Sequence, residues 1–246
     1  MEYRYTGIIL NKRDIGETDR IYTVYTLEGG KIRSLAKGVR KPHAKLAASL
    51  ENITLADVTV IRSRGLGKIT GSIVENNFSS LKCDCDALLE TFAGVTIFEK
   101  LIDFENPDQK VFLLLKEYLE TVDFCAQEKA LNDDLEYSVK VKLIRLGFVV
   151  QLLDALGYTI KVDSCVICSE KLSEKSLCFS SEHGGALCGK CSLDKSDCAL
   201  PVEANVIKLL RLFLGNNINT LIKVKASQSD CDAVRLVVDD FLRWTF

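Results

Sequence analysis

Arg20-Ile-Tyr-Thr-Val-Tyr-Thr-Leu27, then Glu28-Gly29-Gly30, then Lys31-Ile-Arg-Ser-Leu-Ala36 reads as strand, tight turn, strand. The first run is rich in β-branched and aromatic residues, and the glycine pair between the two is a hairpin signal. Working outward, Tyr3–Leu10 on one side and Ile53–Ile61 and Lys68–Glu75 on the other have the same character. Ala44–Leu50 lacks β-branched residues, so a short helix is predicted there, between the third and fourth strands. Five strands with a helix after the third is the order of an OB-fold, a small Greek-key barrel that often binds nucleic acid. The strand count alone also fits an SH3-like barrel.

Past Ser79 the period changes. Leu88, Leu89, Phe92, Val95, Phe98 and Ile102 recur at helical spacing, and Pro107 is expected to open the next element. Phe112–Val122 and Val139–Leu156 continue the rhythm, with Gly157 as a stop signal. Pro201 is expected to start a helix over Val202–Leu214, and Asp230–Trp244 reads as a last amphipathic helix. The expected class is α+β. Residues 1–79 form a five-stranded OB-fold barrel, and residues 80–246 form an α-helical bundle with a four-cysteine zinc ribbon inserted at about 163–198.

The ribbon is read from Cys165-Val-Ile-Cys168 and Cys188-Gly-Lys-Cys191, two pairs that hold four of the chain's ten cysteines and bracket Gly184-Gly185. A two-residue spacer lets one turn deliver two sulfurs, and the loop between the pairs has ribbon length. Four thiolates make a closed tetrahedral site for structural Zn2+, with no position left for a reacting water. Cys178 lies between the pairs without a partner at that spacing, so it reads as apolar filler. His183 adjoins the glycines, but four paired cysteines already saturate a tetrahedron.

Charge divides the chain. Residues 1–80 carry 13 Lys/Arg against 8 Asp/Glu, and residues 81–246 carry 19 against 26. Between Glu28 and Glu51 there is no acid over twenty-two residues, while Lys31, Arg33, Lys37, Arg40, Lys41 and Lys45 all fall there. Arg62, Arg64 and Lys68 flank the Gly65-Leu66-Gly67 turn. Such a run is what a phosphate track requires, although most charge runs are simply solvated faces. Tyr3, Tyr5, Tyr22 and Tyr25 are possible stacking platforms and, more often in barrels, core.

Several chemistries are excluded. No Gly-x-x-x-x-Gly-Lys-Ser/Thr occurs, and Gly65-Leu66-Gly67-Lys68-Ile69 lacks the first glycine and the hydroxyl after the lysine. Neither His43 nor His183 sits in a zinc-hydrolase or deaminase pattern, so no enzyme is expected. Met1-Glu2-Tyr3-Arg4-Tyr5-Thr6 has no apolar leader run, and no stretch approaches a membrane span of roughly 18 apolar residues. A reduced, cytoplasmic protein is expected.

Gly16-Glu17-Thr18-Asp19-Arg20, Ala36-Lys37-Gly38-Val39-Arg40-Lys41, Leu156-Gly157-Tyr158 and Phe179 to Cys188, with both cysteine pairs, occur in that order. Together they resemble the RecO family of bacterial DNA-repair and recombination mediators. A glycine commonly follows the first pair in that family, where this chain has Ser169, and its Gly-Ala-Arg-Arg run stands here as Gly38-Val39-Arg40-Lys41. The resemblance implies an OB-fold that binds single- and double-stranded DNA and promotes annealing. It implies a helical domain that docks RecR and the acidic C-terminal tail of single-stranded-DNA-binding protein. It also implies help in loading recombinase without ATP hydrolysis, in the cytoplasm at the nucleoid. Lys37, Arg40 and Lys41 are assigned to DNA by the family's basic motif, and Arg33, Arg62, Arg64 and Lys68 by their charge and placement alone. The alternative is a zinc-stapled adaptor whose basic barrel meets an acidic protein. Lys142 and Arg145 on the long helix suit an acidic tail, although a solvated helix face is the plainer expectation.

Overall fold

The computed structural model describes residues 1–62, 65–129, 134–173, 177–193 and 199–246. Strands β1 (Glu2–Ile15), β2 (Asp19–Thr26), β3 (Gly30–Ala36), β4 (Leu55–Ile61) and β5 (Gly67–Asn76) close into a barrel of order β1-β2-β3-β5-β4. All pairings are antiparallel except β3 with β5. This is the five-stranded OB barrel that the strand pattern suggested. Its interior follows from the period of two: Ile9, Tyr22, Val24, Ile32, Val58, Val60 and Ile69 point inward and are buried. Ala44–Leu50 is not a regular helix. It is a series of turns ending in the 3-10 turn Ala48–Leu50, and the buried Leu50 joins the barrel core. A stretch that short closes too few backbone bonds to repay helix nucleation.

The opposite face of β1 and β2 is buried too. Ile8, Leu10 and Tyr25 belong to the same apolar core as the helices, and Tyr25 meets Phe98 edge-on at 4.9 Å. Burying such a ring contributes roughly 1.5–3 kcal/mol, with about 0.5–1.5 kcal/mol more for the aromatic pair. Gly30, at φ +65°, makes this closeness possible. A Cβ there would stand 2.5 Å from the backbone of Asn106.

The helices are α1 (Ser79–Cys83), α2 (Cys85–Leu101), α3 (Gln109–Gln127), α4 (Asp134–Ala155), α5 (Gly189–Leu193), α6 (Ala204–Gly215) and α7 (Gln228–Thr245). Helix α4 is central, packed by α2, α3, α6 and α7. Tyr118 of α3 stacks on its Phe148 at 4.2 Å. At its end, Tyr158 N–H donates to Leu153 and Gly157 N–H to Asp154, with Gly157 at φ +90°. That is a Schellman stop, as the glycine signalled.

Both prolines sit elsewhere than expected. Asp108, not Pro107, caps α3, its carboxylate accepting from Lys110 and Val111 N–H. Pro201 lies in β8 (Leu200–Val202), which with β6 (Leu177–Ser180) and β7 (Gly185–Leu187) forms a small sheet of order β7-β6-β8. Proline has no N–H to give a ladder, and an edge strand has one side that needs none.

Candidate nucleic-acid interface and metal centre

The acid-free run begins on β3. Because Ile32, Ser34 and Ala36 face the barrel interior or are buried, Arg33 and Leu35 face out. Register extends this outer face sideways: Thr23 pairs with Arg33, Ile21 with Leu35, and Leu35 with Lys68 of β5. On the other flank Arg13 pairs with Ile21. The row Arg13–Ile21–Leu35–Lys68 therefore crosses four strands with a cation at each end. Arg13 was missed from sequence because β1 runs five residues further than its apolar part, through the polar Asn11–Asp14. The signal that would have found it is the continued pairing partner on β2.

Beyond β3 the chain turns at Lys37–His43. Asp19 anchors this turn: its carboxylate accepts from Gly38 N–H at 2.7 Å, and Arg40 N–H donates to Thr18 carbonyl at 2.9 Å. That backbone N–H, then the Thr18 hydroxyl and the nearby Lys37 and Lys41, hold the Asp19 pKa below its usual value. Lys37 and Lys41 are exposed and have no ion pair among the described residues, as is also true of Arg13, Arg33 and Lys68. Arg40 differs. Its guanidinium donates to Gly16 carbonyl at 3.2 Å and stands 3.4 Å from Asp14. It ties the turn to the β1–β2 hairpin.

Arg62 is 2.5 Å from Glu105 and shares a groove with Arg33, Leu66 and Phe104. Lys31 is buried, its ammonium donating to Glu99 carbonyl at 2.7 Å. Arg64 lies outside the described residues. Tyr22 and Tyr25 are fully buried and Tyr5 nearly so, leaving only Tyr3 of the four exposed. On α4, Arg145 is buried against Glu90 at 2.5 Å, and Lys142 donates to Gln228. Neither is a solvated residue waiting for an acidic tail. The long-range partner Glu90 could not be read from the helix alone.

The four paired cysteines converge as their spacing required. The sulfurs of Cys165, Cys168, Cys188 and Cys191 all lie within 4.8 Å of one another. The first pair is held by a turn in which Cys165 N–H donates to Glu170 carbonyl and Ser169 N–H to Cys165 carbonyl. Ser169 sits at φ +61°, the left-handed region that glycine adopts at no cost. The second pair spans the start of α5. Hairpin β6–β7 joins the two, and Gly185 is obligatory there: a Cβ would stand 2.1 Å from Lys161 carbonyl. Burial raises the cost of ionising Cys165, yet N–H groups of Cys168, Cys188 and Ile167 draw it down to about 6. Cys191 is pushed up to about 12, by burial and then by the neighbouring sulfurs. One thiolate is favoured and its neighbours resist, which is the electrostatics a dication relieves. Cys178 packs beside this cluster without joining it, and His183 is bonded to Ser180 Oγ at 3.0 Å.

Two family models match this chain, Recombination protein O N terminal over residues 1–78 and Recombination protein O C terminal over residues 84–246. The chain belongs to the RecO family. Relatives named DNA repair protein RecO support the assignment. One from Roseiflexus sp. is 31% identical over 85% of this chain and 69% of its own length. One from Dehalococcoides mccartyi is 25% identical over 99% and 90%, and one from Bacillus mycoides 27% identical over 98% and 91%. As a RecO-family DNA repair protein the chain has a barrel with an open basic face and a cluster of four cysteines suited to a metal. None of its described helices is long and apolar enough to cross a membrane.

Proposed function

We propose that this chain binds single- and double-stranded DNA on the outer face of β3 and anneals complementary strands. In repair by homologous recombination it helps load recombinase onto strands coated by single-stranded-DNA-binding protein. The observation that carries this reading is the set Arg13, Arg33, Lys37, Lys41 and Lys68, cations on one open barrel face. The strand 2–3 face of OB-folds is where oligonucleotides bind. Cations not held by a carboxylate are free to replace condensed counterions on phosphate, and their release drives binding. Two strands neutralised on one surface lose the repulsion that opposes pairing. No nucleotide hydrolysis is required, and the protein acts as a mediator rather than an enzyme. Arg40 and Arg62 contribute less than the lysines, since each already holds a carboxylate.

The helical part docks RecR and the acidic tail of single-stranded-DNA-binding protein, and the protein works in the cytoplasm at the nucleoid. The cysteine centre holds a structural zinc. Sulfurs around a zinc with bonds of about 2.3 Å stand roughly 3.8 Å apart, and Cys168 Sγ lies 3.7 Å from Cys188 Sγ. The metal supplies cross-linking, and Cys165, Cys168, Cys188 and Cys191 fill its coordination sphere.

A salt titration with labelled DNA tests the DNA reading. Lys37→Ala/Lys41→Ala should lower the slope of log affinity against log salt by about 0.7 per lost contact on single strands and about 0.9 on duplex. Binding should weaken alike across sequences, because phosphate contacts position without reading. Weak wild-type binding, with no change in slope, would instead favour an adaptor whose barrel meets an acidic protein.

A further inference from the structure

Phe104 belongs to the segment after α2, yet it lies on the barrel. It bridges to Lys31 in parallel register, and Glu105 N–H donates to Lys31 carbonyl at 3.0 Å. The Lys31 ammonium and the Arg33 guanidinium each stand 4.4 Å from the Phe104 ring centroid. Despite this fixing, the residue is 42% exposed. Ordinary burial does not account for so much fixing of an apolar ring. The next residue adds a second oddity: Glu105 has φ +59°, a left-handed backbone that is strained for a side-chain-bearing residue. Two contacts hold it there, the bond to Lys31 and the ion pair with Arg62. The ring, Arg33, Arg62 and Leu66 line an open groove of about 270 Å³ at the end of the basic face.

We infer that Phe104 is a stacking platform for one unpaired base of a DNA strand that tracks along β3. The inference rests on the DNA-binding reading above and adds to it the source of a single-strand preference. Glu105 is paired with Arg62 in this groove, so of its two guanidiniums only that of Arg33 lacks a carboxylate among the described residues, and the exposed ring beside it suits a flat, uncharged group. A base has no charge to be repelled, and its exocyclic amine or ring N–H can donate to a carboxylate. Arg33 holds the ring from β3 while remaining next to the phosphate track. Duplex bases are already stacked and paired, so they have no face to offer.

The test uses the full protein and three ligands at one salt concentration: a mixed-sequence single strand, the same strand with every base removed, and a duplex. Base–aromatic stacking is lost on alanine substitution with a cost equivalent to roughly 5- to 150-fold in affinity. Phe104→Ala should therefore weaken the single strand by at least about fivefold and leave the abasic strand and duplex unchanged. Phe104→Trp in a Trp244→Phe background should keep single-strand affinity, and its indole emission should be quenched by the single strand but not by the abasic strand. Unchanged binding of all three ligands by Phe104→Ala overturns the platform. So does an equal loss on all three, which would mean the ring only positions Arg33. Wild-type protein that binds none of the ligands would overturn the DNA reading, and the platform with it.

Discussion

The barrel and the cysteine ribbon hold side chains in place by opposite means. The barrel has its own buried core, from Tyr5 to Ile69, and a closed ring of strands. Among the described residues around the cysteines, the separate buried cluster is Cys165, Leu187 and Cys188. An enclosed apolar core stabilises without a ligand, and the small sheet shares the helical core through Leu177, Phe179 and Ala186, whereas the cysteine turns outside that core depend on a cross-link. The difference teaches where each part is vulnerable. DNA binding on the barrel should outlast the metal, and ribbon structure should not.

Metal binding to four-cysteine sites contributes roughly 10–16 kcal/mol in small fingers. Cys188→Ser should therefore lose stoichiometric zinc by elemental analysis and lose protease resistance at the two cysteine turns, residues 165–170 and 188–193, while Cys178→Ser keeps both. Binding of DNA by Cys188→Ser within about twofold of wild type would support independence of the barrel. Complete loss of DNA binding with an intact barrel would show that the ribbon shapes the DNA face.

A smaller effect sharpens the comparison within the barrel. Arg40 is committed to Asp14 and Gly16, whereas Lys41 has no such partners. Arg40→Ala should lower stability slightly, since the pair is largely exposed, with little change in salt slope. Lys41→Ala should do the reverse, changing the slope by about 0.7 on single strands. Denaturation curves and salt titrations of both variants measure the exchange. Equal slopes for the two would mean that Arg40 leaves Asp14 when DNA arrives.

The smallest effect concerns acid. The Asp19 pKa is depressed in the folded state, so its contribution is present above the unfolded value near 3.8. It is lost as pH falls through the still lower folded value. Protonation should release the Gly38 N–H and loosen the turn that carries Lys37 and Lys41. Amide exchange at Gly38 followed from pH 6 to about pH 3 should slow less steeply in wild type than the intrinsic pH dependence requires, because protection is lost as Asp19 protonates. Asp19→Asn should show fast exchange throughout.

What sequence could reveal follows from the range of the interaction involved. The barrel strands and the helix stop at Gly157 are local patterns, and the cysteine pairs encode their own geometry, so these were legible. Asn11–Asp14 hid the extension of β1 because a strand that leaves the core needs no apolar alternation, and Arg13 was hidden with it. The acid-free run was visible, but the acids that meet it from elsewhere were not: Asp14 reaches Arg40, and Glu105 reaches Arg62. Arg145 looked like a surface residue until Glu90 met it across the bundle. Pairings over long separation depend on the completed fold, and single-chain periodicity carries no trace of them.

One feature of the barrel bears on how it can move. Strands β3 and β5 meet only at Ser34–Gly67 and Leu35–Lys68, whereas β1 and β2 run together from Gly7–Thr26 to Ile15–Asp19. Opening the ring at β3–β5 breaks the fewest hydrogen bonds, so this is the gap through which the cylinder would unzip into a curved sheet. Arg33 and Lys68 stand on either side of that gap. A polyanion gripped by both would act as a clasp, so the cargo itself would resist the parting of the strands that carry it.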